Sequence, residues 1–171
     1  MINLDNAKQV FLDYVKNYDD TNDKISLKIE HTLKVMDVAI NTARYLNLED
    51  EDIQLAGLIG LLHDIGRFEQ VKRYNTFVDR ESIDHGDLGV QILEENNFIR
   101  KFIQEDCYDD IIKIAIHNHN KKDIQKGLSD KQLLHCKIIR DADKTDIFRV
   151  LQNRELKLLD SNTQISEDVL E

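Results

Sequence analysis

The chain has 171 residues, enough for one domain with a hydrophobic core and short for two. Apolar residues at 41% and charged residues at 33% are ordinary for a globular protein, while a net charge of −10 argues against duplex nucleic acid or an anionic membrane as partner. Two cysteines in no metal-like spacing, and no apolar run long enough to span a bilayer, point away from a disulfide scaffold and towards the cytoplasm. A small anionic substrate stays open, because a bound divalent ion reverses the field inside a cleft.

Proline is absent and glycine occurs six times, so the expected fold is all-α, a single-domain helical bundle over residues 1–171. Residues 5–18 read as a first helix, with Val10, Phe11, Tyr14, Val15 and Tyr18 on one side. Ser26 is the expected N-cap of a long second helix reaching about Leu46. Asp50 or Glu51 opens a third, in which Leu55 to Leu62 are all aliphatic or Gly before His63 and Asp64 arrive side by side. Residues 66–84, with "RYNTFVDRESID", read as a long polar loop of the kind that carries function. Asp84 should cap a fourth helix over 86–96, a fifth should cover 106–118, and a sixth should run from Asp130 to about Leu159. The tail "DSNTQISEDVLE" stops in mid-pattern, which suggests that a further element is missing.

An Asp at the end of so oily a helix needs a partner, since burying an unpaired carboxylate costs several kcal/mol or more. Helical spacing gathers the candidates. His31 shares a stripe with Leu27, Val35 and Val38, so it points inward. Asp143 lies on the line of Cys136, Ile139, Ile147 and Val150, whereas Asp141 falls with Lys137 and Thr145 on a wetter face. His119 follows Ile112, Ala115 and Ile116 inward, and His117 groups with Asp110, Lys113 and Ile114; "HNHN" keeps His117 as the alternative to His119. His85 opens the fourth helix. Imidazoles and carboxylates in this number are the ligand set of a first-row divalent ion, and helix bundles build such sites with one or two ligands per helix.

Each residue has a plainer explanation when taken alone. His31 can be a satisfied core histidine, His63 a helix-terminal one beside a turn Asp, and His85 a helpmate of the helix cap. Asp143 can pair with Arg140 or Lys144, and Arg67 can be a surface salt-bridge residue. His135, in "LLHCK", has no evident partner and reads as structural, and Cys107 and Cys136 read as small core residues.

The ordered set His31, His63–Asp64 in "LLHDIGRFEQ" and Asp143 in "IIRDADKTDIFRV" resembles the HD domain superfamily of metal-dependent phosphohydrolases. "HDIGRF" and "RDADK", with "HGDLG" at 85–89 and "HN" at 119–120, are similar to a bacterial subgroup, and the likeness spans about His31 to Val150 within a core of about 26–153. The resemblance implies an HD-type helical core that binds one or two divalent ions and hydrolyses a phosphate ester or anhydride of a small phosphorylated molecule, a nucleotide foremost. It makes His31, His63, Asp64 and Asp143 ligands of a first ion, His85 and His119 additional ligands, and Asp64 the bridge. The doublet His63–Asp64 becomes the catalytic centre. Arg67, and more weakly Lys144, become candidates for gripping a phosphate. Mn, Fe, Mg, Co, Ni and Zn are not distinguished, and homo-oligomerisation stays open. Two other functions compete: an HD-type di-iron oxygenase, which the extra histidines permit, and a non-catalytic module that senses a nucleotide.

Overall fold

A computed structural model describes residues 2–19 and 21–158, with side chains as far as Leu151. The expected element missing from the tail concerns residues 160–171, which lie outside the described residues. The helices are α1 (Leu4–Val15), α2 (Asp23–Tyr45), α3 (Asp50–Leu62), α4 (Ile65–Tyr74), α5 (His85–Glu94), α6 (Ile99–Phe102), α7 (Asp109–Asn118) and α8 (Asp130–Leu158), with 3₁₀ turns at Asp79–Glu81 and Glu95–Asn97. The described residues contain no strand, and none of their helices is long and apolar enough to cross a membrane.

α3 is the axis of the fold. Every residue from Leu55 to Leu62 is buried, as expected of a helix that is apolar all round. α2, α1, α7 and α8 pack about it, and α4 packs on α5 and α2. Gly60 lets α2 approach closely, because a Cβ there would stand 2.8 Å from the Met36 Cα.

Several boundaries differ from the sequence reading. α2 begins a turn before Ser26, because the Asn22 side chain accepts from the Lys24 N–H and serves as the cap. Most of the expected 66–84 loop is helical. Ile65, Phe68 and Val71 are buried on one face of α4, while Glu69 and Arg73 pair at 2.7 Å one turn apart on the other. α4 ends at Asn75, whose left-handed backbone (φ 52°) closes the last turn. Tyr18 lies beyond α1, and its hydroxyl reaches Tyr14 at 2.7 Å and Glu69 at 3.1 Å. Asp84 caps α5 by accepting from the Asp87 N–H. Cys136 is buried, but Cys107 is exposed rather than part of the core.

Candidate metal centre

His63 and Asp64 occupy the joint between α3 and α4. His63 still has helical backbone, whereas Asp64 (φ −104°, ψ 17°) breaks the helix and restarts the chain in a new direction. The break aims two adjacent side chains at one point. α2 brings His31, α8 brings Asp143, the first residue of α5 brings His85, and the C-cap of α7 brings His119. The close packing of α4 on α5 depends on Gly66, where a Cβ would meet the His85 carbonyl oxygen at 2.3 Å and the Gly89 nitrogen at 2.7 Å.

The cluster divides at the two oxygens of Asp64. Oδ2 lies 3.5 Å from His31 Nε2 and 3.4 Å from His63 Nε2, and Asp143 Oδ1 stands 3.0 and 3.5 Å from the same two nitrogens. Oδ1 lies 3.5 Å from His85 Nε2 and 3.6 Å from His119 Nε2, which are 3.0 Å apart. Ligand atoms about 2.1 Å from one ion stand about 3.0–3.4 Å apart in octahedral or tetrahedral geometry. Both groups therefore have nearly the dimensions of a divalent coordination sphere, with Asp64 common to the two.

The imidazoles are held in one sense. Nδ1 of His31 faces Asp146 Oδ2 at 2.7 Å, that of His63 faces the Gly60 carbonyl at 2.8 Å, that of His85 faces Asp79 Oδ2 at 2.6 Å, and that of His119 faces the Ile116 carbonyl at 2.6 Å. Carbonyls only accept, so His63 and His119 must carry hydrogen on Nδ1; the carboxylates favour the same tautomer in the other two. All four Nε2 atoms then converge, each with a lone pair to offer once it carries no proton. Two of these nitrogens, on His31 and His63, are buried without a well-aligned hydrogen bond. Two lone pairs 3.0 Å apart, on His85 and His119, repel unless a proton or a metal ion lies between them. Orphaned nitrogens, converging carboxylates and tied-back rings fit a dication, and the residues His31, His63, Asp64, Asp143, His85 and His119 are those placed to hold one or two.

Charges follow this crowding. Burial disfavours an imidazolium at His63, yet the Asp64 and Asp143 carboxylates outweigh it and push its pKa up to about 10. Burial also opposes ionisation of Asp64 and Asp143, but Lys28 and His63 hold the first, and His31 and His63 the second, well below the usual carboxylate range. His85 is pushed down to about 4 by burial and by the nearby Arg67 guanidinium.

His117 faces away. It is exposed and pairs with Asp87 at 2.5 Å, so the cluster takes His119. Arg67 is turned into the protein, its Nη1 donating to Gln70 Oε1 (2.8 Å), the Phe77 carbonyl (2.5 Å) and Asp79 Oδ1 (3.0 Å), while Nε sits 3.6 Å from Asp64 Oδ1. Lys144 is exposed on α8. Arg140 is not a partner of Asp143, because its guanidinium donates to the carbonyls of Asn118, Lys121 and Lys122. His135 does have a partner, Asp52 Oδ1 at 3.0 Å, well separated in sequence.

Sequence reasoning missed three participants. Lys28 donates to Asp64 Oδ2 at 2.6 Å, Asp146 steadies His31, and Asp79 steadies His85. Lys28 and Asp146 each lie three positions from a flagged ligand, on the same helix face, and that spacing was the available signal. Asp79 sits in a non-periodic segment and gave none.

Residues 29–147 match the family model described as HD domain. No curated protein and no solved structure gives a significant match.

Proposed function

This chain belongs to the HD domain family, and from that premise we propose that it is a metal-dependent hydrolase of a phosphate ester or anhydride in a small molecule, a nucleotide foremost. The family is one of metal-dependent phosphohydrolases. The observation that carries the reading is the common orientation of the four imidazoles, each with Nδ1 tied back and Nε2 directed at an oxygen of Asp64 or Asp143.

When bound, divalent ions make a water more acidic and neutralise charge on phosphoryl oxygens. The protein supplies everything else. His31, His63, Asp143 and Asp64 Oδ2 would hold one ion; His85, His119 and Asp64 Oδ1 would hold a second. Asp146 and Asp79 fix the rings of His31 and His85, so the donor atoms need no reorganisation when the ions arrive. Asp143, at 16% side-chain exposure, is the most open of the six, against 0–5% for the others. Solvent and substrate therefore reach the cluster on the side where α8 meets α2, and the interior side stays dry.

The test is turnover of a panel of nucleotides and other phosphoesters by purified protein loaded with Mn²⁺. We expect hydrolysis of at least one class, lost in His63→Ala and in Asp64→Ala. The proposal fails if metal-loaded protein cleaves none of them. An oxygen-consuming di-iron form that leaves every phosphoester intact would support the oxygenase reading instead.

A further inference from the structure

Lys28 stands at the cluster with more hydrogen-bonding capacity than the protein uses. It lies on α2 one turn before His31, so both side chains leave the same helix face. Its ammonium is 2.6 Å from Asp64 Oδ2, the oxygen shared with His31 and His63. Among the described residues, Asp64 is the one acceptor given to it, leaving two of its three N–H groups without a protein partner. Its side chain is 15% exposed, close to the 16% of Asp143, so it belongs to the open rim of the site and not to its dry floor. The Phe77 ring lies 5.5 Å from the ammonium and walls that rim.

Arg67 is the contrasting cation. Its guanidinium is 5.4 Å from the same ring, but Nη1 is spent on Gln70, Phe77 and Asp79. Of the two cations beside Asp64, Lys28 is the less restrained, with the Asp64 carboxylate as its acceptor where three acceptors hold Arg67 Nη1.

We propose that Lys28 is a substrate-binding residue that hydrogen-bonds a phosphoryl oxygen of the substrate, on the Asp64 Oδ2 side of the site. The inference rests on the phosphohydrolase reading and adds a residue and a ligand group to it. With a divalent ion held by His31, His63, Asp64 and Asp143, the Asp64 carboxylate would have less charge to offer and would hold the ammonium less tightly. The ammonium would then sit in a low-dielectric rim with two or three donors unpaired, a position that an incoming phosphoryl dianion satisfies. In the absence of metal the same ammonium serves as the counter-charge of Asp64.

The experiment measures inorganic phosphate binding, by equilibrium dialysis, to the full chain loaded with Mn²⁺, with metal content determined on the same samples. Lys28→Met should weaken phosphate binding about tenfold or more, the scale of one lost charge-assisted hydrogen bond. It should bind Mn²⁺ at least as tightly as the parent, because a competing cation has left Oδ2. Lys28→Arg, which keeps the charge, should stay within about threefold of the parent for phosphate. Unchanged phosphate binding in Lys28→Met overturns the proposal. So does a parallel loss of Mn²⁺, which would make Lys28 a part of the cage alone. A parent that holds Mn²⁺ yet neither binds phosphate nor cleaves any phosphoester fails differently, since the phosphohydrolase reading then falls and takes this inference with it.

Discussion

Asp146 offers the sharpest test of how the cluster is built. Its carboxylate is 3% exposed, accepts from His31 Nδ1 at 2.7 Å, and takes two bonds from Arg149, at 2.6 Å on Oδ1 and 3.2 Å on Oδ2. Arg149 is held in turn by Glu30 at 2.9 Å. In Asp146→Asn one oxygen becomes an amide that can only donate, so either His31 or Arg149 faces a donor. In Asp146→Ala the Nδ1 side of the His31 ring loses its partner. Loss of such a supporting carboxylate costs about 10–100-fold in metal affinity, which is about 1.4–2.7 kcal/mol, and the alanine variant should lie at the larger end. The assay is competition for Mn²⁺ against a chelator of known affinity near neutral pH. Asp52→Asn is the control, because it disrupts a similar pair, His135–Asp52 at 3.0 Å, that touches none of the cluster. It should lower the melting temperature and leave Mn²⁺ affinity alone. If Asp146→Ala binds Mn²⁺ within about twofold of the parent, the account of tied-back imidazoles is wrong.

Gly66→Ala should weaken an ion held by His85 and His119 more than one held by His31 and His63, because the new Cβ would stand 2.3 Å from the His85 carbonyl and displace α5. It should also cost about 1–3 kcal/mol of stability, and metal titration resolving two affinities would show the selective loss. His117→Ala should retain full metal content where His119→Ala loses ions, which elemental analysis of the two proteins checks directly. The metal-free protein should be most stable near pH 6.5, the usual histidine value. His85, held down at about 4, contributes stability that is lost as pH falls from that value, while His63, raised to about 10, contributes stability that is complete below it and lost as pH rises. Thermal melts across pH should show this dome, with the alkaline side flattened by added metal; melting temperatures climbing steadily to pH 9 without metal would contradict it. Chelated protein should keep its helical circular dichroism and a cooperative melt, since α3 is buried among α2, α1, α7 and α8 without help from the cluster.

Periodicity made the inward residues legible. The apolar run to Leu62 marked α3 as central, and helical spacing turned His31, Asp143 and His119 towards one another without any knowledge of how the helices cross. α4 escaped because ten of the nineteen residues read as its loop are charged or amide-bearing and mask a spaced apolar face of only Ile65, Phe68 and Val71. Lys28 and Asp146 escaped for a related reason. A charge on a helix is usually solvated, and only the three-residue step to a ligand hinted otherwise. The pairings of His85 with Asp79 and of His135 with Asp52 arise from chain geometry in three dimensions, which one-dimensional spacing does not encode.

The joint between α3 and α4 explains why an acid can sit in the interior at all. A carboxylate removed from water needs each oxygen satisfied, and the protein places one cation by each: the Lys28 ammonium at Oδ2 and the Arg67 Nε at Oδ1, at 2.6 and 3.6 Å. Lys28 and His63 outweigh the burial that opposes its charge, so Asp64 stays ionised without a metal. Dications held at both oxygens would take over that neutralisation and would loosen the hold of Asp64 on Lys28. Affinity for metal and affinity for phosphate thus meet at one group, an Asp buried at a helix break whose charge either an ammonium or a metal ion can balance.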